Sequence, residues 1–550
     1  MKIVLAEKVS PATLAILQKE AGWNVVTADK IAPGGLPAEL ADADALIVRS
    51  AVQADAALLA AAPKLRIIGR AGVGVDNIDA EEATRRGIVV MNTPGANAVA
   101  VAELTLGLMI SMSRSIPRAN SSMHASKWDK KSLQGSELRG KTLGIVGCGR
   151  IGLEVARRAK AFGMTLLGYD PFIAPVIARE NGITLVPIDE IFSSSDFLSL
   201  HVGLTPQTEG LINKTSLAIM KKGIRIINCA RGELIVDEAL AEAIKSGHVA
   251  GAALDVFRQE PLKDSPYFEL ENVLLSPHIA GSTDEAQEAI GIQLANQVRD
   301  YLKLGVVQNA VNVASLSEEE YAEVSPYIEM AARLGQLLGH AAGSAGGGNI
   351  ESIALTYNGR LAQLKTDMIR NAAIAGVLHG ADSINRINAA AAATERGIRI
   401  QEDKREHVAG GTGATLRLVL HWTRGGEQGD WTGVATVLHG HSPRLLSYDG
   451  IDIEAELAGT LAIIRNQDVP GVIGRIGTIL GEAKLNIASF ALGRSGSGTT
   501  KGARVPEGQA LAVVQLDVPQ ESQPALQQAI VELRKVEAIA SARTVDLGKL

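Results

Sequence analysis

Short runs of Val, Ile and Leu recur through the first 280 positions, each closed by Gly or a polar residue. The first are KIVLAE, ALIVRS (45–50), LRIIGRAG (65–72) and IVVMNTP (88–94). The pattern resumes with KTLGIVGCG (141–149), TLLGYD (165–170), DFLSLHV (196–202), IRIINCARG (224–232), GAALDVF (251–257) and NVLLSPH (272–278). Apolar runs without polar alternation predict parallel strands covered on both faces. Helical stretches separate them, so the pattern predicts α/β architecture with two doubly wound, Rossmann-like lobes. The longest apolar stretch, 98–112, is interrupted by Glu103 and predicts a buried helix rather than a membrane span.

The texture changes after Asn312. AGSAGGG (342–348) predicts a flexible loop or linker. Residues 350–455 mix strands such as SIALTYNG and TLRLVLHW with an Ala-rich helix near 388–394, and hold no catalytic constellation. From 459 the chain alternates GTLAIIRNQDVPG, a helix, NIASFALGRS, a Gly-rich loop, ALAVVQLDV, a helix and SARTVDLG. That order predicts a small ferredoxin-like βαββαβ unit.

With 550 residues the chain exceeds a single core, and three or four domains are expected. Its 54 basic and 60 acidic side chains give a net charge of −6 without a long basic run, which argues against nucleic acid and anionic membranes as partners. Aromatics make up only 3%, too few for a base-stacking surface. The two cysteines, Cys148 and Cys229, offer no disulfide framework and fit a reducing, cytoplasmic setting. MKIVLAEKVS meets Glu7 and Lys8 too soon to be a secretory leader. No cluster with metal-ligand spacing stands out.

One motif has the context its chemistry needs. GCGRIG follows the strand TLGIV and opens the helix RIGLEVARRAKAFG. Gly147 permits the tight turn, Gly149 lets backbone N–H groups approach a pyrophosphate, and Gly152 lets the helix pack close to the sheet. Asp170, 18 residues after Gly152, ends the next strand and fits the acceptor for a ribose 2′-hydroxyl. Tyr169 and Pro171 flank it and no Arg is adjacent, which favours NAD over NADP. The bland alternative is an ordinary βα turn with a surface Asp.

Arg231, Asp255 and His278 fall at the carboxyl ends of later strands, the edge where open α/β sheets bind ligands, and Glu260 lies just beyond Asp255. Oxidation of a 2-hydroxy acid needs a base for the hydroxyl proton, a cation for the carboxylate and a tuned protonation state. His278 suits the base, Glu260 can orient and stabilise its imidazolium, and Arg231 can grip two oxygens. Taken singly, each residue is equally well explained as polar surface.

NCARGELIVDEAL, GAALDVFRQEP, SPHIAGST, RAGVGVDNID, NTPGANAVAVAELTLGLM and GKTLGIVGCGRIG together resemble the signatures of the D-isomer-specific 2-hydroxyacid dehydrogenases. Within them the chain is similar to the long-type phosphoglycerate dehydrogenase family, which adds an intervening domain and a terminal ACT domain. The resemblance implies NAD-dependent oxidation of 3-phosphoglycerate, the first step of serine synthesis, in a cytoplasmic homo-oligomer, a tetramer built from dimers, with L-serine as inhibitor. It implies catalytic roles for Arg231, Glu260 and His278. It implies cofactor contacts at Arg150 and Ile151 in the Gly-rich loop, and at Asp170, Val202, Cys229, Ala230, Arg231, Asp255, His278 and Gly281. The substrate side falls on Arg49, Arg70, Val73, Gly74 and Asn97, and the effector side on Asn466, Asp468 and Asn486. Gly203 in HVGLTPQT, Gly281 in HIAGS and Asn466 in RNQDVPG depart from commoner family residues.

The implied layout is a discontinuous substrate lobe (1–98 and 283–312), an NAD-binding lobe (99–282), an intervening domain (313–455) resembling an allosteric substrate-binding unit, and an ACT domain (459–550). His441 and Arg444 in HGHSPR are candidates for an anion site in the third unit, with a solvated loop as the bland alternative. Two rivals stand beside this reading. One is a related 2-hydroxyacid dehydrogenase, including reduction of 2-oxoglutarate. The other is an NAD-sensing corepressor that binds protein partners, for which the C-terminal unit has no evident use.

Overall fold

The computed structural model describes residues 1–344, 349–380, 384–406, 413–424, 427–495 and 508–548. Their strands form four sheets. In the first, β1 (Lys2–Leu5), β2 (Asn24–Val26), β3 (Ala45–Val48), β4 (Ile67–Arg70) and β5 (Val89–Met91) run parallel in the order β2-β1-β3-β4-β5. β3 and β5 are buried at every position, which is why they lack polar alternation. Each buried Ile, Leu or Val contributes about 1.5–3 kcal/mol relative to exposure.

The second sheet is parallel and seven-stranded: β6 (Thr142–Val146), β7 (Thr165–Tyr169), β8 (Ile183–Leu185), β9 (Phe197–Leu200), β10 (Ile224–Asn228), β11 (Val249–Leu254) and β12 (Val273–Leu275). Its order is β12-β11-β10-β9-β6-β7-β8. The winding reverses between β6 and β9, and this switch point opens a crevice at the carboxyl ends of the strands. The helix Ala98–Arg114 lies in this unit, packed along the helix Arg150–Ala161 that follows the Gly-rich turn. No single helix among the described residues is long and apolar enough to cross a membrane.

The chain then returns to the first sheet. Thr283 caps the helix Asp284–Leu304, accepting from the Ala286 N–H. This helix packs on Pro11–Gln18 and on β4. Gln297 donates through Nε2 to the carbonyls of Asn92 and Gln308, fastening it there. The first sheet, interrupted after β5, is thus completed by residues some 200 positions later.

The third sheet, β13 (Asn349–Asn358), β14 (Arg399–Arg405), β15 (Thr415–Arg424), β16 (Glu427–Leu438), β17 (Ser442–Tyr448) and β18 (Ile451–Glu456), is mixed, with only β13 and β14 parallel. The long helix Glu318–Ser344 covers it and crosses the helix Asp367–Val377 closely. A Cβ on Gly335 or Gly376 would come within 2.1 Å of a backbone carbonyl of the facing helix, so only glycine permits that approach. The linker expected at 342–348 is corrected in part. Residues 342–344 end the long helix, because the apolar face that covers the sheet continues through Ala341 and Ala342. Residues 345–348 lie outside those described.

The fourth sheet, β19 (Thr460–Gln467), β20 (Asn486–Arg494), β21 (Gln509–Asp517) and β22 (Ile539–Asp546), is antiparallel in the order β20-β21-β19-β22. With the helices Val472–Glu482 and Gln523–Arg534 it makes the βαββαβ unit. The Gly-rich connection after β20 lies outside the described residues at 496–507. One face of this sheet packs under its own helices. From the other, Leu461, Ile463, Leu511, Val513 and Val545 join the core of the third sheet.

Candidate active site

The glycines of GCGRIG act as their spacing requires. Gly147 has φ 94°, and a Cβ there would lie 2.6 Å from the His201 carbonyl and 2.9 Å from Val202. A Cβ on Gly152 would lie 2.1 Å from the Gly147 carbonyl, so the helix approaches the turn only with glycine at this place. Gly149 is the N-cap of Arg150–Ala161, makes no side-chain cap and has open space where its Cβ would stand. The helix therefore presents free N–H groups and the positive end of its dipole to that space, as an anionic pyrophosphate needs. Ile151 packs into the core below.

Asp170 is fixed by two backbone donors. Its Oδ2 accepts from the Cys148 N–H and its Oδ1 from the Phe172 N–H, each at 2.8 Å. Each oxygen keeps a second lone pair for a sugar hydroxyl. Burial pushes the Cys148 thiol up to about 12, with the Asp170 charge adding, and burial does the same for Cys229. Both are inert packing groups. These observations fit a dinucleotide.

At the end of β10, Asn228 shapes the next turn: its Oδ1 accepts from the Ala230 N–H at 3.0 Å and its Nδ2 donates to the Arg231 carbonyl at 2.8 Å. Arg231 leaves that turn towards the first lobe. Its Nη1 donates to the Ala230 carbonyl at 2.7 Å, and its Nε to Asp76 Oδ2 of the opposite lobe at 3.0 Å.

Asp255 ends β11 fully buried. Its Oδ1 accepts from the Ser276 hydroxyl at 2.6 Å and the Ile279 N–H at 3.0 Å, and its Oδ2 from the Ala280 N–H at 2.8 Å. In this structure its carboxylate thus shapes the turn that carries His278 and Gly281. His278 adopts φ 52° there, with its N–H donating to the Asp255 carbonyl. Such a backbone is costly away from glycine, and the surrounding bonds over-determine it.

The His278 Nδ1 lies 2.7 Å from Glu260 Oε2, while Glu260 Oε1 accepts from the Phe257 N–H at 3.0 Å. Burial alone raises the Glu260 carboxyl. The hydrogen bonds from His278 and Phe257, with the charges of His278 and Arg231, outweigh it and hold the group below its usual range. Glu260 is therefore an anion at neutral pH, able to orient the imidazole and stabilise its protonated form.

The first lobe supplies cations. Arg70 ends β4; burial, then the charges of Arg231 and Arg49, lower it to about 10, opposed by Asp76 and Glu7. It is still charged at neutral pH, and its Nε is buried without a partner among the described residues. Arg49 ends β3, with Nη1 3.3 Å from the Lys8 carbonyl and a backbone N–H given to Glu7 at 2.7 Å. Asn92 Nδ2 holds the Val73 carbonyl at 2.5 Å, and a Cβ on Gly74 would meet Arg231 Nη2. Asn97 has a buried, unpartnered Oδ1, and its Nδ2 faces Gly281 of the other lobe. Arg150 also bridges the lobes, donating to the Pro94 carbonyl.

Of the expected residues, Arg70, Gly74 and Asn97 of the first lobe thus stand next to Arg231, Glu260 and Gly281 of the second. Two participants were not foreseen. Asp76 lies two places after Gly74 in the quoted GVGVDNID motif. Glu7, two places after the first strand, accepts three backbone N–H groups, from Arg49, Ala51 and Val52.

The C-terminal expectations fare differently. Asp468 follows β19 and pairs with Arg494 Nε at 3.1 Å. Asn486 begins β20 opposite Asp517, at the Thr460 end of the sheet, and donates to Asp517 Oδ2. The strand register puts the two residues at opposite ends, so within one chain Asn486 does not reach across to Asp468. Asn466 is buried, its Nδ2 donating to the Gln467 carbonyl, because its strand position faces inward. His441 is exposed and bonds the His439 carbonyl, and Arg444 lies in β17 with Glu456 4.0 Å away.

Known proteins resemble the chain over nearly its whole length. Residues 106–280 match the family described as "D-isomer specific 2-hydroxyacid dehydrogenase, NAD binding domain", and residues 323–447 the "D-3-phosphoglycerate dehydrogenase intervening domain". The chain is 39% identical over 526 residues to a D-3-phosphoglycerate dehydrogenase of Methanocaldococcus jannaschii, covering 95% of this chain and 96% of the relative. It is 38% identical to that of Archaeoglobus fulgidus over the whole of both chains.

The chain belongs to the D-3-phosphoglycerate dehydrogenase family.

Its nucleotide lobe is accordingly an NAD-binding domain. Among solved structures, the TT0316 protein of Thermus thermophilus is similar at a TM-score of 0.52 and 33% identity, covering 56% of this chain and all of that one. The D-lactate dehydrogenase of Aquifex aeolicus, complexed with NAD and lactic acid, is similar at 0.50 and 27%, covering 57% of this chain and all of that one.

Proposed function

We propose that this protein oxidises the C2 hydroxyl of 3-phospho-D-glycerate with NAD, giving 3-phosphooxypyruvate (3-phosphohydroxypyruvate), the first step of L-serine biosynthesis. The observation that carries it is the Glu260–His278 pair, 2.7 Å apart at the carboxyl edge of the NAD-binding sheet and within electrostatic reach of Arg231.

Bound along the Gly-rich turn, NAD supplies the acceptor for the C2 hydride. His278 donates through Nδ1 to Glu260, which leaves Nε2 to take the hydroxyl proton. Glu260 stabilises the imidazolium so formed. Arg231 holds the carboxylate and the C2 oxygen, where charge shifts as the ketone forms. Arg49 and Arg70 supply the positive charge that a phosphate of close to two negative charges requires. Closure of the lobes excludes water from the hydride path.

The same reading makes the 459–550 unit an ACT domain that binds L-serine and inhibits. Support comes from Asp468, whose carboxylate, paired with Arg494 in this structure, could instead meet an ammonium, and from the uncapped N–H groups of Val472–Glu482 behind Gly471, which could meet a carboxylate. An Asn486 contact at that site must come from a second copy, so the effector reading includes pairing of these units in a homo-oligomer, a tetramer built on dimers. A cytoplasmic location completes the reading, supported by two free, buried thiols.

Initial rates of NADH formation with 3-phosphoglycerate, D-glycerate and D-lactate test the assignment. Preference for the phosphorylated acid supports it; better turnover of an unphosphorylated acid overturns the substrate.

A further inference from the structure

Asp76 stands in the loop between β4 and the helix Ala80–Arg85, and the side chain it meets belongs to the other lobe. Its Oδ2 accepts from Arg231 Nε at 3.0 Å across 155 positions of sequence. Nη1 of the same guanidinium is bonded to the Ala230 carbonyl, and Nη2 stands close beside Gly74, where a Cβ would come within 1.6 Å of it. Arg231 is thus held from three sides, and only the Asp76 contact carries charge.

The loop that presents Asp76 is itself pinned. Asn77 Nδ2 donates to the carbonyls of Arg49 and Val52 at 2.9 and 2.7 Å. Asn92 holds Val73, and the Thr93 N–H donates to the Gly72 carbonyl at 2.9 Å. Asp76 therefore offers a fixed carboxylate rather than a wandering one. Charge gives it a second effect. Arg70 feels repulsion from Arg231 and Arg49, opposed by Asp76 and Glu7. Glu7 spends its oxygens on three backbone N–H groups, so Asp76 is the acid that reaches Arg231.

We propose that Asp76 is a positioning residue for the reaction proposed above: from the substrate lobe it holds Arg231 by Nε, so that the Nη edge of the guanidinium meets the carboxylate and C2 oxygen of the hydroxy acid when the lobes close. An arginine free to turn about its last torsions would meet the same oxygens in several geometries, and misplacement of about 1 Å at a reacting centre costs up to roughly 100-fold. Asp76 is largely exposed, at 63%, and Arg231 half-buried, so solvent screens the pair and it adds little to stability.

The test is Asp76→Ala beside Asp76→Asn, which keeps an oxygen acceptor. Asp76→Ala should lower kcat/KM for 3-phosphoglycerate by about 10- to 100-fold, with NAD affinity and melting temperature unchanged. Asp76→Asn should recover most of that loss. In an Arg231→Ala background, Asp76→Ala should cost less than about twofold more, because a residue acting through Arg231 has nothing left to act on. Full activity in Asp76→Ala, or losses that multiply in the double variant, would overturn the proposal. A crystal structure of Asp76→Ala decides it independently of any substrate: the guanidinium should leave its present direction, and an unmoved Arg231 refutes the positioning role even if 3-phosphoglycerate proves to be the wrong acid.

Discussion

His278 Nδ1 stands 2.7 Å from Glu260 Oε2, on a residue whose own backbone is left-handed at φ 52°. The buried Asp255 holds the turn and Glu260 holds the ring, so contacts within the protein set the imidazole's orientation. In oxidation the base must be unprotonated. Glu260→Gln replaces an anion by a neutral amide, stabilises imidazolium less and lowers the ring's affinity for a proton. The acid limb of the kcat/KM–pH profile should therefore move to lower pH, with a lower plateau. A profile unmoved by this change would separate Glu260 from the base.

A preference for NAD over NADP is proposed to rest on Asp170, fixed by the Cys148 and Phe172 N–H groups. A 2′-phosphate would meet a carboxylate there, whereas a 2′-hydroxyl would be accepted. Asp170→Ala should narrow the NAD-over-NADP ratio by roughly 10- to 150-fold, the worth of a charge-assisted bond of about 1.5–3 kcal/mol. Steady-state kinetics with both cofactors measure it. An unchanged ratio would leave Asp170 as a loop-forming residue only.

The proposed phosphate site is tested at Arg49. Arg49→Ala should raise KM for 3-phosphoglycerate by about 10-fold or more, and KM for D-glycerate far less. Equal effects on both acids would mean that Arg49 serves the loop tied by Glu7, and that the phosphate lies elsewhere.

Serine titration of the wild type against Asp468→Ala addresses the C-terminal unit. Loss of inhibition in the variant, with unchanged activity in the absence of serine, is the expected pair of results. Inhibition that survives unaltered would place the effector away from Asp468. Because Asn486 lies at the far end of the same sheet, the account also expects inhibition to depend on association between copies, measurable by sedimentation alongside activity.

The catalytic half was legible in the sequence for a physical reason. Parallel strands buried on both faces are written as unbroken apolar runs, and their polar ends mark the cleft. GCGRIG, Arg231, Glu260 and His278 could be placed from that alone. Less legible were the short strands β2 and β8: three residues cannot display a period, and their NVV and ITL read equally as loop. The contact of Arg231 with Asp76 joins lobes 155 positions apart, and no local pattern encodes it. The register of the C-terminal unit was also hidden: Asp468 and Asn486 are close in sequence, yet the intervening helix starts the next strand at the opposite end of the sheet. The core shared by the third and fourth sheets was equally hidden, since Leu461 and Ile463 look the same whichever neighbour covers them.

In the proposed reaction His278, set by Glu260, takes the hydroxyl proton of 3-phosphoglycerate while NAD is reduced. The most direct measurement is NADH formation by the pure protein with 3-phosphoglycerate and NAD, compared with His278→Ala at equal NAD saturation. The account predicts robust turnover in the wild type and a fall of about 10²–10⁴-fold in kcat in the variant, with NAD binding retained. A near-normal rate in His278→Ala, or no NADH from the wild type with this substrate, would contradict it.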